Sequence, residues 1–131
     1  MNILDEYISL TNEGNWEKAL PLIEEIISGN PGIRTSWFNY GVCLDALGRH
    51  RDAGNAFMRA YEIDPTDYGT QFRVFRSLSL AKDEIGFAKF LESELKKAPE
   101  ILELISEDSD FEDIVSTKSV QEVIEDFESS E

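Results

Sequence analysis

Apolar residues return every third or fourth position along most of this chain, in stretches broken by short polar turns. Trp37, Tyr40, Gly41, Leu44 and Leu47 fall at i, i+3, i+4, i+7 and i+10, one stripe of an α-helix. Ala53, Phe57, Ala60 and Tyr61 make a second stripe at i, i+4, i+7 and i+8. Gly48 between the stripes can take the left-handed conformation that ends the first helix, and Pro65 sits just past the second. Applied along the chain, this reading predicts helices at about 2–12, 15–28, 34–47, 50–63, 68–81 and 84–97, with one or two more in the tail, seven or eight in all.

The same skeleton recurs without a gap at a period of 34 residues. Pro31, Pro65 and Pro99 mark it, as do the turns Gly14-Asn15-Trp16, Gly48-Arg49-His50 and Lys82-Asp83-Glu84. Ala19 corresponds to Ala53, Ile23 to Phe57 and Leu91, and Leu10 to Leu44 and Leu78. Each unit is therefore a helix hairpin, and repeats of this length imply stacking, because one hairpin cannot bury its outer stripe alone. Gly41 and Ala53 lie where the two helices of the central hairpin cross. Their lack of bulk lets the backbones approach, with Phe57 filling the space beside them.

The central unit resembles the tetratricopeptide repeat, whose signature is carried here by Trp37, Tyr40, Gly41, Leu44, Gly48, Ala53, Phe57, Ala60 and Pro65. The first unit keeps Leu10, Gly14, Trp16, Ala19, Ile23 and Pro31 but has Glu6 and Tyr7 where Leu and Gly are usual, as suits a terminal position. The third keeps Val74, Leu78, Ala81, Leu91, Leu95 and Pro99, yet puts Phe75 and Phe87 at the two positions that should be small. Two rings at that crossing predict a splayed hairpin, or a shift that gives the close contact to Ala88. The resemblance implies an all-α fold, a right-handed superhelical solenoid of three hairpins with a C-terminal helical cap. One domain over 1–131 is expected, with repeats at about 1–33, 34–67 and 68–101 and an acidic capping segment at about 102–131.

That last segment carries apolar residues at helical spacing: Ile101, Leu102, Leu104 and Ile105, then Phe111, Ile114 and Val115, then Val120, Val123, Ile124 and Phe127. The spacing predicts a cap that covers the third hairpin and shows its carboxylates to water. The segment is also similar to the closing stretch that follows tetratricopeptide arrays in many bacterial proteins, through Leu104, Asp110-Phe111, Ile114 and Val120-Gln121, though Lys118 stands near the position of the usual Pro. This likeness implies a bacterial-type origin.

Charge changes the picture by its distribution. Of the net −15, residues 1–33 carry −5, residues 34–97 carry +1 and residues 98–131 carry −11. A neutral middle between acidic ends argues against nucleic acid or an anionic membrane as partner, since both require a net basic face. The 131 residues and 41% hydrophobic content suffice for one core, and no apolar run approaches the roughly 20 residues that span a bilayer. The acidic start MNILDEYISL is unlike a signal peptide, so a soluble cytoplasmic protein is expected.

Candidate chemistry is sparse. With one cysteine, Cys43, and one histidine, His50, neither a disulfide, a thiolate cluster nor a His-containing dyad is expected. Cys43 reads as a buried apolar residue and His50 as a solvated turn residue. Adjacent acids such as Glu24-Glu25, Asp83-Glu84 and Glu107-Asp108 read as solvated surface. Asp108, Asp110 and Glu112 resemble a calcium loop only faintly, lacking its Gly and closing Glu. No catalytic residue, metal or cofactor is expected.

In the tetratricopeptide family the first helices of successive hairpins line a concave groove that takes a peptide or helix of another protein. The matching positions here are Leu4, Ile8 and Thr11, then Phe38, Asn39, Val42 and Asp45, then Phe72, Arg73, Arg76 and Ser79. The resemblance implies apolar burial near Leu4, Ile8, Phe38 and Val42, a backbone contact from Asn39, and an acidic group paired with Arg73 and Arg76 unless these arginines pair with acids such as Asp45. Leu4 and Ile8 stand where family members that clamp chaperone C-termini use Lys and Asn, which argues against that ligand. The expected function is a non-enzymatic adaptor for a protein or peptide partner, as a monomer or weak homo-oligomer. The alternatives are a dedicated chaperone of an exported or secretion-system protein, or a self-assembling structural unit.

Overall fold

The computed structural model describes residues 2–130, and among them it is all-helical. The helices are α1 (Ile3–Asn12), α2 (Trp16–Gly29), α3 (Arg34–Ala46), α4 (His50–Ile63), α5 (Tyr68–Leu80), α6 (Glu84–Lys97), α7 (Ile101–Glu107), α8 (Glu112–Val115) and α9 (Lys118–Ser129), with a 3-10 turn at Ser109–Phe111. The first six match the expected boundaries to within one residue. The tail differs: in place of one or two helices it folds into three and the 3-10 turn, so nine helices stand among the described residues where seven or eight were expected. The chain forms two compact units, Met1–Ser77 and Leu78–Glu131, with the boundary inside α5.

In the first unit α1 packs on α2, α2 on α3 and α3 on α4. Asn2 and Asn15 start α1 and α2 by accepting the N–H groups of Asp5 and Lys18, as side-chain caps do. Tyr7, Ala19, Ile23, Ile27 and Cys43 form a buried cluster, with Trp16, Trp37 and Leu47 partly buried against it. The approach of α3 to α4 is tightest at Gly41, where a Cβ would lie 2.7 Å from the Phe57 ring. At the corresponding place in α1 the bulk is exchanged, since Tyr7 is large and Ile23 smaller, and the Tyr7 hydroxyl reaches across to donate to the Asn39 carbonyl at 3.3 Å.

Three turns spaced 34 residues apart share one hydrogen-bond pattern. Gly14, Gly48 and Lys82 each donate back three residues at 3.0 Å, to Thr11, Asp45 and Ser79. The next residues, Asn15, Arg49 and Asp83, donate back five, to Leu10, Leu44 and Leu78, at 2.8, 2.8 and 3.0 Å. This pair of bonds is the Schellman motif, which needs a left-handed residue at its corner. The φ values there are 74° for Gly14, 77° for Gly48 and 56° for Lys82. A residue with a Cβ pays a steric penalty in that region, so Lys82→Gly is expected to stabilise the chain by about 1 kcal/mol. Urea unfolding followed by circular dichroism measures it, and an unchanged or lower midpoint would contradict the assignment of strain to Lys82.

In the second unit α9 lies on α6. Val120 and Ile124 are buried while Glu122, Glu125, Asp126 and Glu128 are exposed, so the acidic tail does cover α6 and turn its carboxylates to water. The Phe87 ring, wholly buried, meets Phe111 at 5.8 Å between centroids. Asp108 caps the 3-10 turn through the Asp110 N–H at 2.9 Å. Thr117 is extended, with φ −70° and ψ 155°, which separates α8 from α9. Gln121 ties the break together by donating to the Val115 carbonyl at 2.6 Å. Ile101 and Ile105 face inward at i and i+4, whereas Leu104, counted among the apolar residues of the cap, is 57% exposed.

Candidate functional site

Two contacts within the first unit set α1, α3 and α5 side by side. The Tyr7 hydroxyl bonded to the Asn39 carbonyl places α1 beside α3. The Arg73 guanidinium, 5.4 Å from the Phe38 centroid, places α5 beside α3. The outer helices carry the exposed apolar side chains, Leu4 at 49% and Ile8 at 45% on α1 and Phe72 at 36% on α5. On the middle helix Phe38, Asn39 and Val42 are half-buried. Exposed flanks beside a half-buried centre leave an open apolar face across the three helices, which we call the trough. Its polar members are Asn39, whose side-chain amide has no hydrogen-bond partner among the described residues, and the α5 arginines.

The arginines are held by aromatic faces. Arg73 lies over Phe38 and also over Phe57, 5.7 Å from that centroid, while Phe38 and Phe57 meet edge to face at 5.3 Å. Arg34 approaches the same Phe38 ring to 5.7 Å and donates to Asp67 at 2.9 Å. Cation–π contacts of this kind fix a guanidinium without neutralising it. The Thr70 hydroxyl and N–H, with Arg34 as a lesser contributor, hold the Asp67 carboxyl below the usual carboxylate range. Arg76, one turn after Arg73, is exposed and has no ion-pair partner among the described residues.

Asp45 is not the acid that neutralises these arginines. Its side chain, 12% exposed, accepts from Ser77 Oγ at 2.8 Å and stands 2.9 Å from His50 Nδ1. Thus His50, expected to be solvated, is the first residue of α4 and is half-buried against Asp45. The bond joins residues five apart across a turn, a spacing that helical periodicity does not display. Asp45 therefore links α3, α4 and α5 and offers the trough no free carboxylate. Thr11 Oγ1 turns back to the Ile8 carbonyl at 3.0 Å, and Ser79 belongs to the second unit, where it donates to the Asp110 carbonyl at 3.4 Å.

Arg34 is the site residue that the sequence reading missed, and the repeat itself held the signal. Arg34 opens α3, and Asp67, immediately before α5, is one residue short of a full period away. Neighbouring repeats bring such positions together.

Other concavities have a different character. A cleft of about 430 Å³ between α6 and α9 is lined by Leu95, Val123 and Phe127 with Glu92, Lys96 and Asp126. One of about 520 Å³ is edged by Glu84, Asp110 and Asp113. Among the described residues no three His, Cys, Asp or Glu side chains converge to hold a metal ion. Cys43 is buried with its thiol directed at the Trp16 carbonyl, 3.4 Å away, and burial raises its pKa. No helix among the described residues is long and apolar enough to cross a membrane.

The geometry defines an all-helical protein whose first unit presents an open apolar face across alternate helices. No protein-family model matches the chain. Over 57 residues it is 35% identical to an uncharacterized protein of Methanocaldococcus jannaschii, an alignment that spans 44% of this chain and 66% of that relative's length.

Proposed function

We propose that the chain is a tetratricopeptide-type array, a right-handed superhelical solenoid of three helix hairpins with a C-terminal helical cap. In this reading it is a non-enzymatic adaptor that holds a peptide or helix of a partner protein along α1, α3 and α5. The repeat reading is supported by the three turns of one hydrogen-bond pattern at 34-residue spacing. The observation that carries the binding role is the trough: Leu4, Ile8 and Phe72 are exposed around the half-buried Phe38 and Val42. Apolar side chains aligned across separate helices leave burial energy to be gained by a partner, at about 25 cal/mol per Å² before the costs of association.

The adaptor reading involves no catalysis. Asp45 stands between Ser77 and His50, so the imidazole is not placed to take the hydroxyl's proton as a nucleophilic dyad requires.

Affinity capture from the source lysate tests the role, comparing the wild type with Leu4→Glu, Ile8→Glu. Both positions are exposed, so the variant is expected to melt at the wild-type temperature and to lose the retained partner. Retention of the same protein by a folded variant would remove the trough as the binding face.

A further inference from the structure

We infer that the occupant of the trough is an acidic, apolar segment of a partner protein, whose carboxylates are taken by Arg76 together with Arg73. This rests on the trough being the binding face and adds the chemistry of the ligand.

The argument is one of local charge. The chain has 27 acidic residues against 12 lysines and arginines, yet several of these cations have no carboxylate within ion-pair distance among the described residues, and Arg73 and Arg76 are the ones that α5 contributes to the trough. The acids near α5 are already engaged, Asp45 by His50 and Ser77 and Asp67 by Arg34 and Thr70. Neither Arg73 nor Arg76 has a carboxylate within ion-pair distance among the described residues. Residues three apart on a helix share a face, with Cβ atoms about 5–6 Å apart, so these two guanidiniums can grip one acidic side chain or two successive ones. Arg73 is fixed in place by the Phe38 and Phe57 rings, which lowers the entropy lost when a carboxylate binds.

The net charge of −15 does not overrule this. At physiological ionic strength the Debye length is about 8 Å, so charges beyond the trough are screened and the nearest groups decide the sign. Three guanidiniums, Arg34, Arg73 and Arg76, stand there with two carboxylates, Asp67, held by Arg34 and Thr70, and Asp45, held by His50 and Ser77. The same global charge disfavours a polyanion such as nucleic acid, which presents many phosphates beyond the reach of so small a basic spot. Leu4, Ile8 and Phe72 supply the apolar half of the recognition.

The test is selection of a random 12-residue peptide library on the immobilised full-length chain, followed by affinity measurement on synthetic copies of the selected peptides. Selected sequences are expected to combine apolar residues with Asp or Glu. Arg76→Gln, at an exposed position, is expected to weaken them roughly tenfold with an unchanged melting temperature. Affinity should also fall as salt is raised.

Selected peptides without an excess of acids, or binding unaffected by Arg76→Gln, would overturn the acidic ligand while leaving the trough in place if Leu4→Glu, Ile8→Glu still abolishes binding. Acidic peptides that survive that double substitution would overturn the trough itself. Failure to select any sequence overturns both. Sedimentation velocity of the chain alone completes the test, because concentration-dependent association lost in Arg76→Gln would make the occupant a second copy and refute the partner protein.

Discussion

Phe57→Ala is expected to destabilise the chain by about 3–5 kcal/mol, the range for removing a wholly buried aromatic ring. The ring is the piece against which α3 and α4 close. It fills the space over Gly41, meets Phe38 edge to face and supports the Arg73 guanidinium. The complementary change, Gly41→Ala, places a methyl 2.7 Å from the same ring and is expected to cost about 1–3 kcal/mol. In a Phe57→Leu background that penalty should shrink, because the clash is with the ring. Urea unfolding of the four chains in this cycle gives the coupling. A Gly41→Ala cost that is the same in both backgrounds would show that the ring does not set the α3–α4 distance. A folded Phe57→Ala chain should also bind ligand more weakly, since Phe38 and Arg73 lose their common support.

The close approach of α3 and α4 was legible because it rests on residue size alone. Gly41 and Ala53 at helix period, with a large residue four beyond Ala53, leave few other ways for two helices to cross. Helix ends were legible for a related reason: Gly14, Gly48 and the prolines at 31, 65 and 99 act through their own backbones, whatever surrounds them. The tail was less legible. Its apolar residues fall in three sets, and the breaks between them depend on polar details that periodicity does not contain. Asp108 turns its carboxylate onto the Asp110 N–H, and Thr117 takes an extended conformation. The first and third sets became α7 and α9, and the second was divided between the 3-10 turn, which holds Phe111, and α8.

In the candidate site, the exposure of the apolar positions was legible from helical period, and the partners of the polar ones were not. Leu4, Ile8, Phe38, Val42 and Phe72 lie off the buried stripes of α1, α3 and α5, and they are exposed or half-buried accordingly. The partners of Asp45, His50, Arg34 and Arg73 depend on which rotamer reaches which neighbour, and opposite charges close in sequence were a poor guide. Asp45 found a histidine and a serine, and Arg73 found two rings. The chemistry of the trough was thus decided by long side chains whose contacts cross between helices, the part of the structure that a one-dimensional pattern encodes least directly.

Alkaline solution is expected to loosen the first unit through one phenol. Burial, with a smaller contribution from Cys43, pushes Tyr7 up to about 12 from its ordinary value of 10.0. The folded chain therefore keeps its proton where the unfolded chain has lost it, and folding is favoured less as pH rises. The contribution is complete below about pH 10 and is lost progressively between about pH 10 and 12, at up to about 1.4 kcal/mol per pH unit and about 2.7 kcal/mol in total. Tyr40 is pushed the same way, by partial burial first and by Glu24 next, and the high net negative charge adds repulsion, so the wild-type curve alone does not isolate Tyr7. The difference from Tyr7→Phe does. At pH 7 that variant loses one hydrogen bond to the Asn39 carbonyl and should be less stable by about 1 kcal/mol. By pH 12 the order should reverse, because phenylalanine has no proton to lose. Stability curves of the two chains that stay parallel from pH 8 to 12 would mean that Tyr7 ionises as easily in the folded chain as in the unfolded one, and that α1 does not seal the phenol against α3.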